Sequence, residues 1–165
     1  MKTLGWIGIG RLGIVQMAIG AIVVLTTSTL NRVMVVELAL PAMLPGALVA
    51  FYYAIQLMRP NWGYRSDSGG SRTPWIIGGM AVLAAGGLAA TLGTVLLETN
   101  RMGGLAVSVL GFAQIGVGTG AACTSLLALL ATATAPERRA AAATITWLVL
   151  MFGMAVLAAG GLAAT

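Results

Sequence analysis

TPWIIGGMAVLAAGGLAATLGTVLL, residues 73–97, carries no formal charge. A helix needs roughly 20 apolar residues to cross about 30 Å of hydrocarbon, and this stretch exceeds that length. Outward from it lie four more uncharged stretches, Leu12–Asn31, Leu38–Met58, Met102–Pro136 and Ala140–Thr165, and all nine basic and four acidic residues fall between or before them. Backbone polar groups sealed in lipid must pair internally, and the alternating polarity of barrel strands is absent, so the expected spans are helices. The expected fold class is an all-α membrane protein. It has about five transmembrane helices, over 12–31, 38–58, 74–97, 104–131 and 141–165, in one domain covering residues 1–165.

The basic residues orient these spans. Lys2 and Arg11 precede the first span, Arg59, Arg65 and Arg72 lie between the second and third, and Arg138 and Arg139 lie between the fourth and fifth. Only Arg32 and Arg101 occupy the other two connections. The positive-inside rule therefore places the amino terminus in the cytoplasm of a multi-pass bacterial inner-membrane protein. The net charge of +5 is spread over short loops, which argues against a nucleic-acid surface. Trp6 and the Gly/Ile-rich lead from Met1 to Gly10 suggest a segment lying along the interface.

Histidine is absent and Cys123 is the single cysteine, so no disulfide framework and no Cys/His metal site is expected. Proton transfer would fall to Glu37, Asp67, Glu98 or Glu137, each in a connection with arginine nearby, a pattern of surface ion pairs. No phosphate-cradling loop and no nucleophile elbow occurs. Catalytic residues and enzyme activity are not expected.

Small residues crowd the third and fourth spans: Gly78, Gly79, Gly86 and Gly87 in one, Gly111, Gly116, Gly118 and Gly120 in the other. The pairs Gly116/Gly120 and Gly118/Ala122 have the small-xxx-small spacing that lets helix backbones approach closely. Residues 79–91 and 153–165 both read GMAVLAAGGLAAT. Duplication, shared packing demands or an error of sequence assembly would each produce such an identity. Within the spans, Ser and Thr can return their hydroxyl hydrogens to the carbonyl one turn back. Glutamine costs more in hydrocarbon, so Gln16, Gln56 and Gln114 are expected to face the bundle interior, a cavity or a bound headgroup, and they are the candidate ligand contacts. Trp6, Trp62, Trp75 and Trp147 are expected interface anchors.

The connection RPNWGYRSDSGGSRTP, Arg59–Pro74, reads as a short charged turn between antiparallel helices. Gly63, Asp67, Gly70 and Arg72 resemble the signature that major-facilitator transporters carry between their second and third helices. Glycine permits a tight reversal, while Asp67 can accept from a helix N-terminus and pair with a neighbouring arginine, latching one conformation. Ser68 and Ser71 stand where that family usually has basic residues. A turn that merely enforces topology would have the same composition.

The neighbouring segments narrow the resemblance. TLNRVMVVEL (Thr29–Leu38, with Asn31, Arg32 and Glu37 its most distinctive residues), Arg59-Pro60, Gly63–Asp67, Arg72–Trp75 and APERRAA (Ala135–Ala141) resemble the PucC family of light-harvesting assembly proteins. The likeness covers nearly the whole chain from Arg11 onward. It implies the N-terminal half of a major-facilitator-like fold in an intracytoplasmic membrane. It also implies a non-enzymatic role in loading pigment into antenna complexes and assembling them around the reaction centre. The implied partners are membrane lipid and the light-harvesting and reaction-centre subunits. The implied pigment is bacteriochlorophyll or carotenoid, held by Gln, a backbone carbonyl or water rather than by His. Such proteins have about twelve spans, so a chain stopping within its fifth is expected to be a fragment or a shortened subunit. Two other readings stay open: half of a solute transporter, and a purely structural antenna subunit.

Overall fold

The computed structural model describes residues 4–68 and 71–163, with side chains described through residue 157. Among these residues there are helices and no strands. They are α1 (Trp6–Arg32), a π-helical turn (Val33–Glu37), α2 (Met43–Gln56), α3 (Arg59–Ser68), α4 (Thr73–Thr99), α5 (Arg101–Ala133), a 3₁₀ turn (Pro136–Arg138) and α6 (Arg139–Ala163). Four segments are long and apolar enough to cross a membrane: Trp6–Glu37, Thr73–Thr99, Arg101–Ala133 and Pro136–Leu157. The protein is thus an all-α membrane protein, as its hydropathy predicts.

Two sequence-based boundaries change. The lead through Gly10 is not a separate interfacial segment, because α1 already starts at Trp6. Met1–Thr3 lie outside the described residues. The Leu4 N–H donates to the Ala133 carbonyl (2.8 Å), and the Arg138 guanidinium stacks 5.4 Å from the centre of the Trp6 ring. The uncharged stretch 38–58 yields a helix only from Met43 to Gln56. At 1.5 Å per residue those 14 residues rise about 21 Å, short of a full crossing. Pro41 is the reason. It has no N–H to extend the preceding helix and disfavours helical backbone at Leu40. Ala39 turns at a φ of 47°, and the Leu40 N–H returns to the Met34 carbonyl at 2.9 Å.

The Arg59–Pro74 connection also differs from the predicted turn, since its first ten residues form α3. The Leu57 and Met58 N–H groups donate three residues back, to Ala54 (3.1 Å) and Ile55 (3.0 Å), and carry the chain from α2 into α3 with little interruption. Glycine and serine suggested a loop here, but α3 is docked on α5. Trp62 lies over Gly120, and Gly63 faces Thr124.

α4 and α5 form the tightest pair. Their reversal is a single residue, Asn100, in extended conformation (φ −141°, ψ 96°), whose side-chain oxygen accepts from the Gly103 N–H (3.0 Å) and caps α5. Beyond it, Gly79, Gly86 and Gly93 of α4 stand opposite Gly118, Gly111 and Gly104 of α5. Glycine therefore recurs every seventh residue on both sides of the seam. A Cβ at Gly86 would lie 2.7 Å from the Ile115 nitrogen and 2.9 Å from the Gly111 carbonyl oxygen. The glycine Cα–H groups thus point at facing backbone, a weak hydrogen-bonding geometry common where helices approach this closely. The predicted pair Gly118/Ala122 belongs to this seam, whereas Gly116 and Gly120 face α2 and α3. Glycines on two sides make α5 the central helix. α1 covers α4 and α5, and α6 packs along α1, with Gly13 against Val149.

Candidate functional site

At one end of the bundle, α3, α4 and α5 meet at Arg72. Its Nε and one Nη donate to Asp67 Oδ1 (3.0 and 2.7 Å), and its other Nη donates to the Ala128 carbonyl (3.1 Å) and to Thr132 Oγ1. The structure thus joins two members of the predicted latch, Asp67 and Arg72, and adds the last turns of α5, where a cation also suits the helix dipole. Gly63 sits one turn before Asp67, and its carbonyl accepts from the buried Ser66 hydroxyl (3.0 Å). Gly70 lies outside the described residues. Among the described residues Asp67 accepts from no helix N-terminus, and Glu37, Glu98 and Glu137 form no ion pair, so the surface pairing expected of the acidic residues holds for Asp67 with Arg72. Thr132 and Ala128 were invisible to a motif search because they lie more than fifty residues from Arg72 in sequence.

Asn31 and Arg32 end α1, exposed, and Glu37 closes the π-helical turn through the Leu38 N–H to Val33 carbonyl bond (3.0 Å). All three residues are exposed and make no polar side-chain contact among the described residues. π turns cost hydrogen-bond geometry and often mark functional positions.

Deeper in the bundle, α1, α2 and α5 enclose a polar cluster. Gln16 and Gln56 are 8% and 9% exposed, and the side-chain oxygen of each lacks a hydrogen-bond donor. Gln16 faces the Cys123 thiol. Tyr52, one turn before Gln56 on the same face of α2, faces Thr119, whose hydroxyl also lacks a partner in good geometry. Arg59, exposed, opens α3 just beyond this end of α2. Buried acceptors of this kind in an apolar interior cost free energy until a donor or a cation meets them. Two of the three predicted glutamines are therefore in the interior. Gln114 is not: it is exposed on α5, where its Cβ borders Gly86 of α4. Some span hydroxyls bond back as expected, among them Thr27 to Val23 (2.7 Å), Thr94 to Ala90 (2.9 Å) and Thr146 to Ala142 (2.8 Å). Ser108, Thr119 and Ser125 do not.

The family model described as PUCC protein matches residues 29–164, from the end of α1 through α6. The chain belongs to the PUCC family. Among the relatives of this PUCC chain, the "Bacteriochlorophyll synthase 44.5 kDa chain" of Rhodobacter capsulatus is 62% identical over 94% of the chain and 36% of its own length. "Protein PucC" of Rhodobacter capsulatus is 31% identical over 90% of the chain and 35% of its own length. The same organism's "Uncharacterized protein in puhA-bchM intergenic region" is also 31% identical, over 90% of the chain and 33% of its own length. The PUCC chain thus spans about a third of the length of these curated relatives. No solved structure matches it. The matched region contains the π-helical turn, the Arg72 junction, and the α2 and α5 parts of the polar cluster; Gln16 lies before it.

Proposed function

We propose that this chain belongs to a non-enzymatic membrane factor that helps assemble light-harvesting and reaction-centre complexes, with bacteriochlorophyll as its cargo. The observation that carries the reading is the 62% identity, over nearly the whole chain, to a protein whose name ties it to bacteriochlorophyll. The interior chemistry agrees with such a cargo. With no histidine in the chain, magnesium in a pigment would be met by oxygen, and the amide oxygens of Gln16 and Gln56 are buried without a donor. In this reading the amino end and the Arg72 junction face the cytoplasm of an inner or intracytoplasmic membrane, and the partners are lipid, antenna and reaction-centre subunits.

The test is the absorption spectrum of the tagged full-length polypeptide purified from a bacteriochlorophyll-producing cell. Co-purifying bacteriochlorophyll that falls several-fold in the Gln16→Leu/Gln56→Leu double variant, at unchanged membrane yield, supports delivery. A colourless protein held in a pigmented complex points to a structural subunit, and a colourless protein free of antenna partners overturns the assembly reading. Maleimide labelling of a cysteine introduced at Ser68 from the periplasmic side would overturn the orientation.

A further inference from the structure

Between α3, α4 and α5 an apolar groove opens sideways onto the membrane face of the bundle. Its volume is about 300 Å³, and it is lined by Trp62, Trp75, Gly78, Val82, Val117 and Ala121. From Trp75 to Val82 it follows α4 for about 10 Å at 1.5 Å per residue. Nothing lies within 4 Å of the position a Cβ would take at Gly78, so the groove floor is open there. That volume is at the lower edge of small-ligand pockets and suits a hydrocarbon chain.

The groove has a charged end. Along α5, Trp62 is level with Gly120, Gly63 with Thr124, and Arg72 with Ala128 and Thr132. Arg65, one turn beyond Trp62, therefore lies between the groove and the Arg72 junction. Arg65 is exposed and makes no hydrogen bond or ion pair among the described residues. Over residues 59–74 three arginines face one aspartate, a net charge of +2, and Arg72 is the one already engaged with Asp67. An apolar channel lined by two indoles, with an exposed guanidinium beyond one end, forms a complement to an amphiphile with an anionic head.

We infer that this groove binds one anionic phospholipid, its phosphate at Arg65 and one acyl chain along Trp62, Trp75 and Gly78. The site is independent of the pigment reading and of the Gln16 cluster.

The probe is tryptophan quenching by lipids brominated in the acyl chain, in the full-length protein carrying Trp6→Phe and Trp147→Phe. Brominated phosphatidylglycerol and brominated phosphatidylcholine are compared at equal minor fractions in nanodiscs of unlabelled phosphatidylcholine. Quenching by the glycerol lipid should exceed that by the choline lipid about twofold or more. Arg65→Gln, at an exposed position, should remove the preference, and Gly78→Leu should weaken quenching by both lipids. Equal quenching by the two headgroups overturns the inference, as does a preference that survives Arg65→Gln; either would leave the groove to an apolar partner such as a neighbouring helix.

Discussion

Gly78 and Gly79 are adjacent on α4 and chemically identical, yet alanine should act on them in opposite ways. A Cβ at Gly79 would lie 2.7 Å from the Ala122 nitrogen, 2.9 Å from the Gly118 carbonyl oxygen and 3.0 Å from the Ala122 Cβ, whereas at Gly78 it would meet nothing within 4 Å. Favourable contacts between heavy atoms sit at about 3.5–4.0 Å, so at Gly79 the α4 and α5 backbones must part by roughly 1 Å. Overpacking of this kind costs about 1–3 kcal/mol. Both substitutions gain up to about 1 kcal/mol in helix propensity, which cancels when the two variants are compared. Gly79→Ala should therefore be less stable than Gly78→Ala by about 1–3 kcal/mol, with Gly78→Ala at or slightly above the parent. Reversible unfolding in mixed micelles of increasing SDS fraction, followed by tryptophan emission, measures the difference directly. Equal stabilities of the two variants would refute the backbone-to-backbone seam.

The Arg72 junction should split unevenly. Asp67→Asn removes half of an exposed pair and should change stability by less than about 1 kcal/mol, whereas Arg72→Ala also strips the bonds to Ala128 and Thr132 and should cost about 1–2 kcal/mol in the same unfolding assay. Gln16→Leu removes a buried acceptor that has no donor, so stability should be unchanged or rise by up to about 1 kcal/mol; a loss above 2 kcal/mol would mean that the amide is satisfied in the membrane. Cys123 is 8% exposed, so maleimide should label it only after SDS unfolding, and rapid labelling of the folded protein would contradict its packing against α1 and α2.

Hydropathy made most of the helical bundle legible, because uncharged runs such as 74–97 and 104–131 match α4 and α5 to within a few residues. It failed at 38–58, where an apolar average hides the proline that delays α2. It failed again at α3, whose glycine and serine content suggests a turn until Trp62 is seen packed on α5. The seven-residue glycine period of the α4–α5 seam is present in the sequence, but the four-residue spacing of Gly116/Gly120 and Gly118/Ala122 does not reveal it. At the candidate site, Asp67 with Arg72 was readable from spacing. Which glutamines lie inside was not, since the uncharged flanks of α5 give no sign of which one meets α2. Tyr52 and Thr119 meet only through tertiary packing, and no local pattern marks them.

The Asn100 reversal has a consequence for biogenesis. Because α4 and α5 are consecutive and their facing backbones are joined by one capped residue, they can zip together as a unit once residue 133 has left the ribosome, with almost no loop entropy to overcome. Earlier helices and α6 would then dock on a preformed hairpin, so the chain carries its own scaffold for insertion.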